Sequence, residues 1–119
     1  MILKGKIVHG KGLGRTVGMP TANLDVKGQK LPEPGVYASK IKIGEKEYGS
    51  VTNVGNRPTV DQEQTITVET YIFDFSGSIY GEEAVLEILQ FLRPVQKFQD
   101  LNEVHEQVKK DIEEAKKYL

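Results

Sequence analysis

A chain of 119 residues is the size of one domain with a single core, and its 16 basic and 17 acidic residues leave a net charge of −1. That near balance argues against a broad nucleic-acid or anionic-membrane surface, and no apolar run approaches a membrane span. The absence of cysteine removes disulfides, thiolate metal sites and thiol nucleophiles together, and with an opening too short for a signal peptide it favours a cytoplasmic protein.

Ile2 to His9 alternates loosely and predicts a first strand. It leads into Gly10-Lys11-Gly12-Leu13-Gly14-Arg15-Thr16-Val17-Gly18, where four glycines allow left-handed backbone and close approach to a ligand. Successive amides in such a loop form a concave donor array suited to phosphate, and Arg15 adds a permanently charged fork. A tight surface turn is the plain alternative, since the spacing matches neither the dinucleotide fingerprint nor the lysine-bearing phosphate loop. Pro20 pushes Met19 towards extended backbone, so residues 20–24 begin a strand with Thr21 and Asn23 on one side. Their hydroxyl and amide oxygens are hard, neutral ligands of the kind Mg2+ takes when it also holds phosphates.

Val36 to Ile43 and Glu47 to Val54 read as strands joined by a hairpin turn at Gly44-Glu45-Lys46. Asn53-Val54-Gly55-Asn56-Arg57-Pro58-Thr59 has the composition of a second loop, able to close over a ligand beside the first. Thr65 to Phe75 is rich in Thr, Ile, Val, Tyr and Phe and predicts a strand. Ala84 to Leu92 has a length that suits strand or helix; Gly81 and Pro94 bracket it, and strand is chosen. Long loops are expected at 10–20, 25–35 and 53–64. Short antiparallel strands at even spacing predict a closed or nearly closed barrel over about residues 1–95. A helix over about 100–118 follows, with Asp100 as its cap and Glu103 completing a capping box. Leu101, Val104, Val108, Ile112, Ala115 and Leu119 form its apolar stripe, packed on the barrel, with His105 one position off it.

Histidine occurs only at positions 9 and 105, so chemistry must come from carboxylates, hydroxyls and a bound cation. Glu69 is the most informative acid. Thr67, Glu69, Tyr71 and Phe73 share one side of their strand, Ile66, Val68, Thr70 and Ile72 the other, and neither is an ordinary solvent face. Glu69 stands either at a wet strand end or in a cavity as a general base. Asp74 falls on the opposite side, and Asp25, Asp61 and Glu63 read as solvated loop acids. Phe91-Leu92-Arg93-Pro94, with Phe98 before the helix, offers a guanidinium and rings on which a flat heterocycle can stack, or anchors for the helix start.

Taken in order, these motifs resemble the riboflavin kinase family along nearly the whole chain. The markers are Gly-Lys-Ile-Val-His-Gly (5–10), the glycine loop, Pro-Thr-Ala-Asn (20–23), Leu-Pro-Glu-Pro-Gly-Val-Tyr (31–37), Asn-Val-Gly-Asn-Arg-Pro-Thr (53–59), Val-Glu-Thr-Tyr-Ile-Phe-Asp-Phe (68–75), Ile-Tyr-Gly (79–81), Phe-Leu-Arg-Pro (91–94) and Lys-Phe (97–98). The resemblance implies a mainly β fold, a six-stranded antiparallel Greek-key barrel with a C-terminal α-helix, that converts riboflavin and ATP to FMN and ADP. By position it makes Glu69 the catalytic base and Thr21 and Asn23 the Mg2+ and nucleotide contacts. Gly10, Gly12, Gly14, Arg15 and Gly18 become the ATP-side loop, and Arg93 and Phe98 part of the flavin-side wall. Met19 and Val95 stand where the family commonly has Phe or Ile and often Glu, respectively. Riboflavin and ATP are then the expected partners, without nucleic acid or membrane, for a chain compatible with a monomer. With no room for an adenylyltransferase half before residue 2, a stand-alone kinase or an excised kinase domain is expected. The alternatives are a non-catalytic flavin- or nucleotide-binding barrel module, and a structural barrel for oligosaccharide or nucleic acid, which the near-neutral charge disfavours.

Overall fold

Alternating and β-branched segments form six strands and the capped C-terminal segment forms one helix: β1 (Ile2–Val8), β2 (Thr21–Leu24), β3 (Gly35–Ile43), β4 (Lys46–Pro58), β5 (Gln64–Ile72), β6 (Glu83–Arg93) and α1 (Leu101–Lys116). The structure, a computed structural model, describes residues 1–8, 21–26, 28–58, 64–73, 81–95 and 99–119. The strands close into a barrel in the order β1-β2-β5-β4-β3-β6, every neighbouring pair antiparallel. β3, β4 and β5 form a meander and β6 returns beside β3, which is the Greek-key connection. Ala84 to Leu92 is strand, as its bracketing residues implied.

One expectation is corrected. Residues 53–58 are not loop but the second half of β4, paired with β5 from Val54↔Val68 to Pro58↔Gln64. Gly, Asn and Pro disfavour strand locally, but a neighbouring strand that supplies the ladder overrides that preference. Pro58 fits because it ends the strand, where a missing donor costs least.

All six strands contribute to one apolar cluster, including Leu3, Ile7, Leu24, Ile41, Val54, Val68, Ile72 and Leu86. Only the barrel interior lets every strand do so. The interior also holds hydroxyls: Ser39 Oγ lies 2.7 Å from both Ser50 Oγ and Thr52 Oγ1, and Thr52 is bonded in turn to Thr70. Each buried hydroxyl has a partner, so the desolvation penalty is met.

β1 and β2 pair at Ile7↔Leu24 and Val8↔Asn23. Beyond them the chain still follows β1: the Asp25 amide donates to the Lys6 carbonyl at 2.9 Å, and the Gln29 side chain accepts from the Lys4 amide at 2.8 Å while donating to its carbonyl. Gln29 thus stands in for a strand. This close passage requires Gly5, where a Cβ would lie 2.1 Å from the Asp25 carbonyl oxygen.

Helix α1 starts where expected. Asp100 Oδ1 accepts from the Glu103 amide at 2.9 Å, and Glu103 Oε2 accepts from the Gln99 amide at 2.8 Å. Val36, Ala38 and Val51 on the barrel's outer face pack with Ala115, Ile112, Phe73 and Leu92. β3 is consequently buried on both faces from Gly35 to Ser39. Leu119 lies past the helix end, 42 % exposed, with its side chain against Gly49 of β4 rather than in the stripe's core. His105 is half-buried, its Nε2 buried without a hydrogen-bond partner among the described residues. The helix is also latched by charge: Arg93 donates through Nε and an Nη nitrogen to the two Asp111 carboxylate oxygens, both at 2.8 Å, and Gln107 Nε2 adds a bond to Oδ1 at 3.1 Å.

Two stability predictions follow from these contacts. Gly5→Ala should lower the unfolding free energy by about 1–3 kcal/mol, because the new methyl meets backbone rather than a yielding side chain; an unchanged urea midpoint would rule this out. Asp111→Asn should cost about 2–4 kcal/mol by leaving Arg93 poorly compensated, whereas the joint change Arg93→Met with Asp111→Leu should cost less than the single one. Equal costs in urea unfolding would show that the latch is not electrostatic.

Candidate active site

Strand register sets two of the candidate residues, Asn23 and Glu69, on a single row running around the outside of the barrel. From β1 to β6 the paired residues are Val8, Asn23, Glu69, Asn53, Val36 and Arg93. The next row holds Thr21, Tyr71, Val51, Ala38 and Gln90. Alternation decides the face: Val68, Thr70 and Ile72 turn inward, so Glu69 and Tyr71 turn outward, towards the side covered by α1.

Outward does not mean wet. Glu69 is 5 % exposed, Asn23 and Tyr71 8 % each. Asn23 Nδ2 donates to Glu69 Oε2 at 3.4 Å, across 46 residues of sequence. On the other flank the Asn53 Oδ1 atom is buried without a hydrogen-bond partner among the described residues. The Tyr71 phenol is held well above its ordinary pKa range. Burial is the largest cause, followed by the neighbouring Glu69 carboxylate and the Asp111 charge; Arg93 opposes them. A carboxylate bonded to an amide and shielded from water can accept a proton from a hydroxyl placed against it.

Two strand ends meet at this place. Residues 9–20 join Val8 to Thr21, so both attachment points adjoin Asn23, one in register and one two residues along β2. No group of three or more His, Cys, Asp or Glu gathers among the described residues to form a metal cage. A cation here would rely on hydroxyl and amide oxygens and on a substrate's phosphates.

Of the residues expected to act, the structure brings Asn23 and Glu69 together and sets the Thr21 backbone opposite Tyr71. Arg93 lies on the same row but directs its guanidinium to Asp111 and to the Pro94 carbonyl. Gly10, Gly12, Gly14, Arg15, Gly18 and Phe98 lie outside the described residues, as do His9, Asp61, Glu63 and Asp74. Asp25 is exposed.

Three neighbours of the site went unread in the sequence. Tyr71 shares the Glu69 face at a spacing of two, which pointed to it. Asp111 completes the three–four rhythm of Leu101, Val104, Val108 and Ala115, an acid inside an apolar stripe. Asn53 reads in the sequence as part of a loop able to close over a ligand, not as a strand neighbour of Glu69.

A family model described as riboflavin kinase matches residues 1–119. The bifunctional riboflavin kinase/FMN adenylyltransferase of Haemophilus influenzae is 38 % identical over 97 % of this chain and 37 % of its own length. An RNA-binding riboflavin kinase of Bacillus subtilis is 40 % identical over 93 % of this chain and 48 % of its own. The chain therefore spans less than half the length of either relative. A solved structure named as a macrolide-efflux protein from Streptococcus pneumoniae superposes with a TM-score of 0.89 at 34 % identity, over 99 % of this chain and 39 % of that one. With the barrel, its outer row of polar groups and a match from first residue to last, the chain belongs to the riboflavin kinase family.

Proposed function

We propose that this chain transfers the γ-phosphate of ATP to the ribityl 5′-hydroxyl of riboflavin, giving FMN and ADP. The observation that carries the reading is the buried Glu69 carboxylate, bonded to Asn23 where the segment 9–20 rejoins the barrel. Glu69 accepts the hydroxyl proton as the oxygen attacks the γ-phosphorus; the new P–O bond forms while the bond to the β-phosphate oxygen breaks and ADP leaves. The amides of Gly10, Gly12, Gly14 and Gly18, with Arg15, hold the nucleotide phosphates in line. Arg93 and Phe98 belong to the flavin side. The Arg93 fork is spent on Asp111, so its part there is to fix the chain entering Pro94 and Val95.

Thr21 and Asn23 fit Mg2+. The Asn23 amide turns its nitrogen to Glu69, which leaves the carbonyl oxygen as the end a hard cation takes. When bound, the ion neutralises charge on the phosphate oxygens.

We place the reaction in the cytoplasm and within one chain, since Asn23 and Glu69 belong to the same barrel. No helix among the described residues is long and apolar enough to cross a membrane. One relative is named as RNA-binding; the net charge of −1 is the ground for proposing small-molecule substrates alone here.

Incubation with riboflavin, ATP and Mg2+ should yield FMN on chromatography, whereas a binding module would retain flavin without turnover. Glu69→Gln should keep the fold and lose roughly 10²- to 10⁴-fold in kcat, the scale of a positioned base; near-normal kcat would remove Glu69 from that role. Thr21→Ala should weaken Mg–ADP binding in calorimetry while leaving riboflavin binding intact. Unchanged ADP affinity would contradict its place as a ligand.

A further inference from the structure

The row that holds Glu69 also carries a buried acceptor to which the reaction gives no task. Asn53 stands abreast of Glu69 on β4, and its Oδ1 atom is buried without a hydrogen-bond partner among the described residues. A buried amide oxygen left in that state is destabilising and calls for a donor. Two residues along the same face of β4 is Gly55. Its φ is not in the left-handed region, so the backbone does not demand glycine there. Crowding among the described residues does not demand it either. An added Cβ would lie 3.6 Å from Val95 Cγ2 and 4.0 Å from Asn53 Oδ1, both ordinary van der Waals contacts. Glycine weakens a strand interior, and one reason to keep it is the close approach of a ligand.

The chemistry of the row decides what approaches. Glu69 and Asn53 set carboxylate oxygens and an amide oxygen side by side, so the group against them must bring more than one donor. Phosphate oxygens are charged acceptors and do not suit this spot. A polyol does: paired residues on neighbouring strands stand about 5 Å apart, and hydroxyls on successive carbons span that gap. We propose that Asn53 and Gly55 are specificity-determining residues for the alcohol substrate. Asn53 Oδ1 accepts from a secondary hydroxyl of the ribityl chain, whose carbons lie over Gly55 against Val95, while the terminal hydroxyl faces Glu69. The inference rests on the kinase reading, with Glu69 as the base. Val95, 48 % exposed, supplies the apolar wall.

The probe is a flavin carrying an ω-hydroxypentyl side chain, which keeps the terminal hydroxyl and lacks the secondary ones. The parent should prefer riboflavin to it by at least about 10-fold in kcat/KM, the scale of a hydrogen bond to a buried group. Asn53→Leu, similar in size but without the acceptor, should shrink that preference about 10-fold and keep the KM for ATP within about twofold. A preference as large in Asn53→Leu as in the parent overturns the proposal. Gly55→Ala keeps the test open even where Asn53→Leu does not fold. Its methyl meets no close contact among the described residues, so the urea midpoint should match the parent's while the KM for riboflavin rises about 10-fold. An unchanged riboflavin KM in that variant also overturns the proposal.

Binding gives a second readout that needs no turnover. Quenching of flavin fluorescence, with ADP and Mg2+ present, yields a Kd for each flavin. Should the parent make no FMN, the kinase reading falls, and whether Asn53→Leu narrows the gap between the two Kd values still decides for or against the seat. Should Glu69→Gln abolish turnover while Asn53→Leu discriminates as the parent does, the kinase reading stands and this inference alone fails.

Discussion

The register of β5 between β2 and β4 is the constraint on which the rest of this molecule depends. Because strand side chains alternate, a slip of one residue would carry Glu69 into the apolar interior and bring Val68 and Thr70 to the outer face. In the observed register Glu69 stands abreast of both Asn23 and Asn53, with Tyr71 one row away. Barrel closure holds that alignment from both sides, since neither neighbour of β5 is an open edge.

The interior reinforces the same alignment. Ser39, Ser50, Thr52 and Thr70 form a run of hydroxyls across β3, β4 and β5. Displacing one strand would strand at least one hydroxyl in a dry core, a penalty of about 1–3 kcal/mol per group. Apolar contacts alone tolerate sliding more readily, being non-directional. The polar chain inside the barrel therefore helps keep the polar row outside in place. The helix adds a third restraint, because Arg93, on the row that holds Glu69, is tied to Asp111 of α1.

Much of the fold was legible because it is written locally. The Asp100 cap and the three–four stripe announced α1; Gly81 and Pro94 settled a segment whose length was ambiguous; alternation along residues 66–73 separated the two faces of β5. The second half of β4 was not legible, since Gly55, Asn56 and Pro58 read as turn residues and only the pairing with β5 makes them strand. In the site, Glu69 stood out as an acid in a strand without a solvent face. That Asn23 meets it, 46 residues away, is a property of strand order, for which no local pattern exists. Asp111 and Tyr71 acquire meaning only through what packs on them.

The Gln29 contact with β1 has a consequence for how the barrel comes apart. Among the described residues the β1–β2 seam has two ladder pairs, extended by one main-chain bond from Asp25 and by a side-chain amide gripping Lys4. β3–β4 and β4–β5 are each paired along nine residues. Local opening takes the route that breaks the fewest bonds. The staves carrying Glu69 can thus stay knit while the seam between β1 and β2 unzips, making that seam the first stave joint of the barrel to give way.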